Sequence, residues 1–244
     1  MIEVIAECGI NWTSLEMAKE LIKQAKICGA SIAKFQLCDV DTLFPDKQVI
    51  AQDKNWYEEV KKTQLTKEQV FELANYCKQL QIEFMASCFD LERLGWLEEV
   101  RVKRHKVATR MNRNMELITA MVETGKEVLL SDSTTRFISY FPDFKFLYCI
   151  PEYPTSLDKL SLGKITFNQV PITYFPFKQY NFQGLSDHTV GIEASTIAMA
   201  RGATIIEKHF CLKRDNSNPD MVCSIEPNEL KELVEFARKV EGVC

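Results

Sequence analysis

The sequence predicts an α/β protein whose strands close into a (β/α)8 TIM barrel. Short apolar runs alternate along the chain with longer segments whose apolar residues recur at helical spacing. Eight such runs occur, and eight strands with intervening helices are typical of a closed parallel barrel. A doubly wound open sheet is the alternative, but the chain contains neither GxGxxG nor a GxxxxGK phosphate loop, which disfavours a nucleotide-binding sheet.

The eight predicted strands are short, and helical patterns separate most of them. The strands cover residues 3–8, 31–37, 82–87, 104–108, 127–131, 145–150, about 181–185, and 203–207. The predicted helices cover residues 14–28, 66–80, 90–99, 114–124, 191–201 and 226–241. Ser14 and Thr66 are predicted N-caps, because a hydroxyl side chain accepts hydrogen bonds from the free amides of a first helical turn.

Two connections depart from the regular alternation. Segment 132–144 is too short and too aromatic for a full helix, so we expect one reduced helix after strand 5. Segment 168–180 combines proline with aromatic residues and is expected to form a long ordered loop. No repeat, low-complexity tract or linker divides the chain, which predicts a single barrel domain over residues 1–244.

Charge and composition disfavour several classes of protein. The net charge of −4 provides no global basic field for nucleic acid or an acidic membrane. The chain has no apolar run of about 18 residues and no basic, signal-like N-terminus. Its nine cysteines are scattered without a CxxC pair, which predicts free thiols in a reducing cytoplasm. Cys8, Cys88 and Cys149 lie at strand ends and are expected to pack in the core.

Polar residues occur at the ends of most predicted strands, where a barrel carries its catalytic groups. They include Glu7, Lys34, Gln36, Ser87, Lys106, Thr109, Ser131, Tyr153 and Ser186. Two lysines among several hydroxyl groups suit a small phosphorylated anion, because these donors can surround phosphate oxygens in a water-poor cavity. Lys34 and Lys106 lie inside apolar strands, which disfavours a surface role. A desolvated Lys106 could instead form a Schiff base with a carbonyl substrate.

His188 and His209 follow adjacent predicted strands and account for two of the three histidines. This placement could bring both imidazoles to one divalent metal ion, with water or substrate oxygens completing the coordination. The alternative is that each is a hydrogen-bonded structural residue. The third histidine, His105, alternates with Lys106 and is expected to face the helices.

With these residues considered together, the chain resembles the sialic acid synthase family, the phosphoenolpyruvate-dependent synthases of N-acetylneuraminic, legionaminic and pseudaminic acids. The similar segments, in family order, are AECGIN (6–11), GASIAKFQ (29–36), LLS (129–131), YPTS (153–156), GLSDHTVG (184–191), GATIIEKHF (202–210) and NPDMVCSIEPNELKELV (218–234). They cover essentially the whole chain. SDHT followed by EKHF at this spacing is specific, whereas any one segment alone would be weak.

The resemblance implies a role for each matching residue. His188 and His209 would bind a divalent metal, usually manganese, with magnesium as the alternative. The phosphate and carboxylate of phosphoenolpyruvate would contact Lys34, Ser87, Lys106, Thr109, Ser131 and Ser186. The amino-sugar acceptor would contact Glu7, Gln36, Tyr153 and Asp220. Chemistry would involve Glu7, Lys106, His188 and His209, and a homodimer is compatible with the family.

Two departures from the family pattern concern the acceptor side and the C-terminus. Thr109-Arg110-Met111 stands where the family has Ser-Gly-Glu, so a carboxylate at the mouth is expected to be missing and a cation added. The C-terminal antifreeze-protein-like domain of the family is expected to be absent, because the sequence ends at Cys244.

Three functions follow from these observations. The first is condensation of phosphoenolpyruvate with an amino-sugar aldehyde, giving a 2-keto-3-deoxy sugar acid and phosphate. The second is a non-catalytic barrel that binds phosphoenolpyruvate or a sugar, and Arg110 and Met111 motivate it. The third is a Schiff-base aldolase that uses Lys106.

Overall fold

Eight parallel strands close into a barrel in the computed structural model, which describes residues 1–134, 141, 143–167, 181–215 and 217–242. The strands are β1 (Glu3–Gly9), β2 (Ile32–Leu37), β3 (Glu83–Cys88), β4 (Arg104–Val107), β5 (Glu127–Asp132), β6 (Lys145–Tyr148), β7 (Gly184–Asp187) and β8 (Ile205–His209). Each strand pairs with its neighbours in the chain, and β8 pairs with β1 to close the barrel. The predicted fold class is therefore confirmed.

Six longer helices surround the strands in the described part of the chain, at the predicted places. They are α1 (Leu15–Cys28), α2 (Lys67–Leu80), α3 (Leu91–Glu99), α4 (Met115–Glu123), α5 (Glu193–Ala200) and α6 (Pro227–Glu241). Ser14 caps α1 by accepting the Met17 amide, and Thr66 forms a capping box with Gln69 at α2. The predicted loop 168–180 lies outside the described residues, as does most of segment 132–144, where a reduced helix is predicted after strand 5.

The last two barrel strands begin later than the sequence pattern predicts. Residues 181 and 182 pair with Thr166–Phe167 in a separate two-stranded ladder, and the barrel strand begins at Gly184. A Cβ atom on Gly184 would lie 1.9 Å from the carbonyl oxygen of Ile205. Glycine at this position therefore allows the backbones of β7 and β8 to approach each other closely. The strand β8 extends to His209, which makes this histidine the final strand residue.

Side chains alternate along each strand between the barrel interior and the surrounding helices. An apolar layer fills the middle of the barrel and consists of Ile5, Ile32, Met85, Leu129, Leu147 and Ile205. His105 points outward to Glu98 of α3, with 3.0 Å between Nε2 and Oε1, whereas Lys106 points inward. The expectation for His105 is therefore confirmed. Below the apolar layer, Arg104 forms ion pairs with carboxylates of β1, β3 and β5.

Residues 38–64 form a wall beside the barrel mouth that the sequence pattern does not predict. This segment contains the short helices Val40–Leu43 and Tyr57–Lys62 and the hairpin of Ile50–Ala51 with Lys54–Asn55. It has its own apolar cluster, in which Trp56 and Tyr57 are buried. The Gln52 amide at the hairpin tip donates to the carbonyl oxygens of Pro219 at 3.3 Å and Tyr153 at 3.5 Å. The wall is thereby attached to the loops after β6 and β8.

Two further expectations concern cysteines and membranes. All eight cysteines in the described part of the chain carry free thiols. None of the helices seen in the structure is long and apolar enough to cross a bilayer.

Candidate active site

All twelve predicted site residues line one cavity at the carboxyl ends of the strands. The cavity has a volume of about 600 Å³. The twelve residues are Glu7, Lys34, Gln36, Ser87, Lys106, Thr109, Ser131, Tyr153, Ser186, His188, His209 and Asp220. The barrel thus brings together side chains that are widely separated in sequence, and their individual roles stay predictions.

The floor of the cavity is a buried network of two lysines and two glutamates. The Lys34 Nζ forms an ion pair with Glu7 Oε2 and lies 3.7 Å from Glu207 Oε2. The Lys106 Nζ lies 3.6 Å from Glu207 Oε1 and donates to Ser131 Oγ at 2.7 Å. Both lysines are at most 3% exposed. Two ammonium groups therefore share the Glu207 carboxylate beneath the open part of the cavity.

The pKa values follow from this arrangement. Burial raises the pKa of Glu207, but the charges of Lys106 and Lys34 outweigh it and hold this pKa at about 2. Burial lowers the pKa of Lys34, but the charges of Glu207 and Glu7 outweigh it and raise it above its ordinary value. Burial also lowers the pKa of Lys106, and here the charge of Glu207 does not outweigh it, so this pKa stays below its ordinary value. An entering anion would supply the missing negative charge beside Lys106.

Hydroxyl groups complete the surroundings of the two ammonium groups. Ser186 Oγ donates to Glu207 Oε1 at 2.9 Å, and Ser131 Oγ accepts from Lys106. Ser87 lies opposite Lys106 in the pairing of β3 with β4, and Thr109 begins the short 3-10 helix Thr109–Met111 after β4. Cations and hydroxyl groups from five strands or strand ends converge here, which suits a phosphate or carboxylate group.

His188 and His209 face each other across the other side of the cavity, with 5.4 Å between ring centroids. The His188 Nδ1 lies 2.9 Å from the carbonyl oxygen of Ile150. A carbonyl can only accept, so Nδ1 carries a proton, and the neutral form of His188 would have its lone pair on Nε2. The Tyr153 ring stacks on His188 at 4.0 Å and meets His209 edge-on at 5.6 Å.

His209 is held beside an acidic residue and lacks a hydrogen bond at Nδ1. This atom is buried without a hydrogen-bond partner and lies 3.4 Å from Asp220 Oδ2. Burial, together with the charges of His188 and Lys34, lowers the pKa of His209 well below its usual value. Burial and the charge of Glu7 raise the pKa of Asp220 to about 7. The neutral imidazole is the form of histidine that binds metal ions.

The imidazole pair fits a divalent metal ion, with a limited number of protein ligands. In neutral His188 the lone pair lies on Nε2, and in His209 the Nδ1 atom makes no hydrogen bond, although Asp220 Oδ2 lies 3.4 Å away. Among the described residues, no group of three or more His, Cys, Asp or Glu side chains is arranged to hold a metal ion. A metal ion at this place would have two histidine ligands, and water or substrate oxygens would have to occupy its other positions.

A polar cluster forms around Gly9 at the end of β1. The Gln36 Nε2 donates to Glu7 Oε1 at 3.1 Å. Gly9 has a φ of +38°, and a Cβ atom there would lie 3.0 Å from Gln36 Nε2 and Glu7 Oε1 and 3.2 Å from Asp220 Oδ2. Glycine therefore allows three polar side chains to converge where any other residue would push them apart.

Among the polar residues of the cavity floor, sequence reasoning missed Glu207, and it did not place Cys149 beside the cavity. Glu207 lines the floor, and its signal was the two-residue alternation of β8, in which Ile205, Glu207 and His209 share the inner face. Cys149 is buried at 1% exposure, as expected of a core residue, but it also borders the cavity. Cys149 continues the inner face of β6 after Leu147, lines the cavity and places Sγ 3.9 Å from His188 Nδ1. Cys8 and Cys88 lie in the core as expected.

The two departures at positions 110 and 111 lie in different places. Arg110 lines the cavity mouth, with its guanidinium carbon 4.7 Å from the centroid of the Phe44 ring in the 38–64 wall. Met111 is buried in the core around the strands. The Arg110 cation therefore lies at the cavity mouth. Met111, which stands where the family pattern has a glutamate, packs against apolar side chains instead.

A closed parallel barrel with a charged cavity at the carboxyl ends of its strands defines the class of (β/α)8-barrel enzymes. The sequence matches the profile of the NeuB family over residues 21–244. The chain belongs to the NeuB family, and the resemblance found in its motifs is confirmed.

Individual relatives agree with this assignment. The chain is 32% identical over 255 residues to an uncharacterised protein of Methanocaldococcus jannaschii, covering 98% of this chain and 70% of that protein. It is 30% identical over 268 residues to the N,N'-diacetyllegionaminic acid synthase of Legionella pneumophila, covering 98% of this chain and 72% of the relative. Its fold is similar to the N-acetylneuraminic acid synthetase of Leptospira borgpetersenii in complex with citrate. The TM-score is 0.85 at 28% identity, over 99% of this chain and 84% of the other.

Proposed function

We propose that this protein is a metal-dependent transferase that condenses phosphoenolpyruvate with an amino-sugar aldehyde. The products are a sialic-acid-like 2-keto-3-deoxy sugar acid and phosphate. The observation that carries the proposal is the single cavity, in which a lysine and hydroxyl cluster lies with an imidazole pair. The relatives named as synthases of legionaminic and N-acetylneuraminic acid support the same class of reaction.

Phosphoenolpyruvate would bind at the lysine side of the cavity. Lys34 and Lys106 would pair with its phosphate and carboxylate, and hydroxyl groups would donate to the remaining oxygens. Those hydroxyl groups belong to Ser87, Thr109, Ser131 and Ser186. Because both lysines, Ser131 and Ser186 are already held by buried contacts, little ordering of these donors would be needed when the anion binds.

The sugar acceptor would bind at the polar cluster around Gly9. The carboxylates of Glu7 and Asp220 can accept hydrogen bonds from sugar hydroxyl groups, and the Gln36 amide can donate or accept. The apolar side chains of the 38–64 wall, including Phe44, Val49 and Ile50, would contact the less polar parts of the sugar. Tyr153 would limit the space beside the imidazoles.

His188 and His209 would hold the metal, which we propose to be Mn²⁺, with Mg²⁺ as the alternative. When bound, such an ion supplies a Lewis acid that polarises the aldehyde of the acceptor. The chain itself holds His188 in one tautomer through Ile150 and shields one face of its ring with Tyr153.

The reaction balances with water as the third reactant. C3 of phosphoenolpyruvate forms a bond with the aldehyde carbon, and the aldehyde oxygen gains a proton. The oxygen of water adds to C2 and becomes the keto oxygen, and the bond from C2 to the phosphate oxygen breaks to leave a keto acid and inorganic phosphate. Of the two protons of the water, one balances the proton gained by the aldehyde oxygen and the other leaves on hydrogen phosphate. Lys34 and Lys106 would stabilise the phosphate as it leaves.

Phosphate release tests the proposal directly. Purified protein, phosphoenolpyruvate and Mn²⁺ are incubated with a panel of hexosamines, N-acylated hexosamines and their 6-phosphates. Release that depends on one sugar and stops with a chelator is expected. His188→Ala should abolish release, whereas His105→Gln, which alters a histidine facing the helices, should retain it. Absence of release with every sugar, together with no Mn²⁺ binding, would reject the proposal.

The same experiment distinguishes the two alternatives. A binding barrel would be stabilised against heat by phosphoenolpyruvate and Mn²⁺ without releasing phosphate. A Schiff-base aldolase is favoured by one observation, the lowered pKa of buried Lys106. Borohydride would then trap a covalent adduct that Lys106→Met cannot form.

A further inference from the structure

A buried ion pair lies behind the two imidazoles, on the outer face of β7 and β8. The Lys208 Nζ is 3.2 Å from Asp187 Oδ2, and neither side chain is exposed to solvent. The two residues are direct partners in the parallel register of these strands. Asp187 immediately precedes His188, and Lys208 immediately precedes His209. The pair therefore joins the strand ends that carry the histidines.

Asp187 holds the turn that contains His188. Its Oδ1 accepts hydrogen bonds from both the backbone amide and the hydroxyl group of Thr189, each at 2.8 Å. Its Oδ2 accepts from Ser195 Oγ in the first turn of α5 at 2.6 Å. One carboxylate thus closes the chain around His188 and attaches it to a helix.

Lys208 holds the same turn from the neighbouring strand. Its Nζ donates to the carbonyl oxygen of Thr189 at 2.6 Å, in addition to the ion pair with Asp187. The residues on both sides of His188 are therefore bound by one ammonium group. Lys208 immediately precedes His209, so its ammonium group connects the end of β8 to the turn around His188. Breaking this connection would let the two strand ends move apart and change the distance between the rings.

Stability alone does not require an ion pair at this position. A buried ion pair contributes about as much stability as well-packed apolar side chains of similar size, because desolvation offsets most of its attraction. Apolar side chains would lack the directional hydrogen bonds that fix Thr189 and hence the turn. The Asp187–Lys208 pair therefore contributes mainly by fixing the geometry of the turn around His188, and only secondarily by its burial.

We infer that Asp187 and Lys208 are positioning residues that set the relative placement of His188 and His209. They touch neither the cavity nor any reacting atom, and they act through the backbone that carries each imidazole. The consequence for divalent-cation affinity rests on the proposed function, whereas the placement of the rings does not.

Histidine NMR measures ring placement without a metal ion, because the chain contains only three histidines. Protein labelled with ¹⁵N-histidine should show a protected Nδ1–H signal from His188, which is bonded to the Ile150 carbonyl oxygen. Asp187→Asn and Lys208→Met should each shift this signal and speed its exchange at least tenfold, with no change at His105. Ser195→Ala removes one hydrogen-bond donor to Asp187 but keeps the ion pair, so this variant should fold more readily. It should shift the His188 signal in the same direction by a smaller amount.

Mn²⁺ titration is the second readout. Asp187→Asn and Lys208→Met should weaken Mn²⁺ binding by about 10- to 100-fold, the range typical of groups that orient metal ligands. Glu127→Gln is the matched control, since it removes a carboxylate from Arg104 at the opposite end of the barrel. The control should leave the His188 signal and the Mn²⁺ affinity unchanged.

The outcomes separate this inference from the proposed function. If folded Asp187→Asn and Ser195→Ala keep the wild-type His188 signal, the positioning role is wrong. If Glu127→Gln changes the signal as much as they do, the effect is general destabilisation and the role is also wrong. If wild-type protein binds no Mn²⁺ but the His188 signal responds as expected, the proposed metal function fails and the positioning role stands.

Discussion

Replacing Glu207 by glutamine tests the charge arrangement at the floor of the cavity. Glutamine keeps the shape of the side chain and its contact with Ser186, but it removes the charge shared by Lys34 and Lys106. Those ammonium groups lie 3.7 Å and 3.6 Å from the carboxylate. Lys106 has no other carboxylate within ion-pair distance among the described residues, so it would lose its only close counter-charge.

The magnitude follows from the burial and pKa of Glu207. A fall of its pKa from 4.5 to about 2 corresponds to roughly 3 kcal/mol of stabilisation. Since the pKa is lowered, this contribution is complete above the unfolded value and is lost as the pH falls towards 2. This value agrees with the cost of about 3–5 kcal/mol that generally follows removal of one partner of a buried ion pair. At pH 7, Glu207→Gln should therefore lower the unfolding free energy by about 3 kcal/mol and Tm by roughly 10 °C.

Urea denaturation at pH 7, followed by tryptophan fluorescence, measures this loss. Glu152→Gln is the control, because Glu152 also lines the cavity but pairs with Lys159 at the exposed rim. Its unfolding should match wild type within error. Inorganic phosphate should stabilise Glu207→Gln more than wild type, because the two lysines then lack their shared counter-charge. An unchanged urea midpoint for Glu207→Gln would refute the reasoning.

Three further results are expected. Gly184→Ala should destabilise the barrel by several kcal/mol in thermal unfolding, because its Cβ would lie 1.9 Å from the Ile205 carbonyl oxygen. Gly95→Ala in α3, where no atom lies within 4 Å, should instead stabilise by about 0.5–1 kcal/mol, and similar effects at both sites would contradict the close approach. His209→Ala should abolish Mn²⁺ binding in a calorimetric titration, and retained affinity would exclude it as a ligand. Arg110→Gln should change KM for the sugar but not for phosphoenolpyruvate, and the reverse pattern in steady-state kinetics would move Arg110 to the anion side.

Local patterns were sufficient for much of the fold and for part of the site. Apolar runs with intervening helical periodicity predicted eight strands, and the two-residue alternation correctly separated inward Lys106 from outward His105. The same alternation, had it been applied to EKHF, would have found Glu207 on the inner face beside His209. It would also have placed Cys149 in the cavity, since Cys149 follows Leu147 by two residues on β6.

The sequence by itself determined the strand number, the family and twelve of the residues that converge at the mouth, because periodicity and short motifs are local properties of the chain. Only the tertiary structure decided how these residues pair. The sharing of Glu207 by Lys34 and Lys106, the attachment of the 38–64 wall at Gln52, and the Asp187–Lys208 pair behind the histidines all join segments distant in sequence. Such contacts depend on closure of the barrel and on the register of neighbouring strands, which no local pattern specifies.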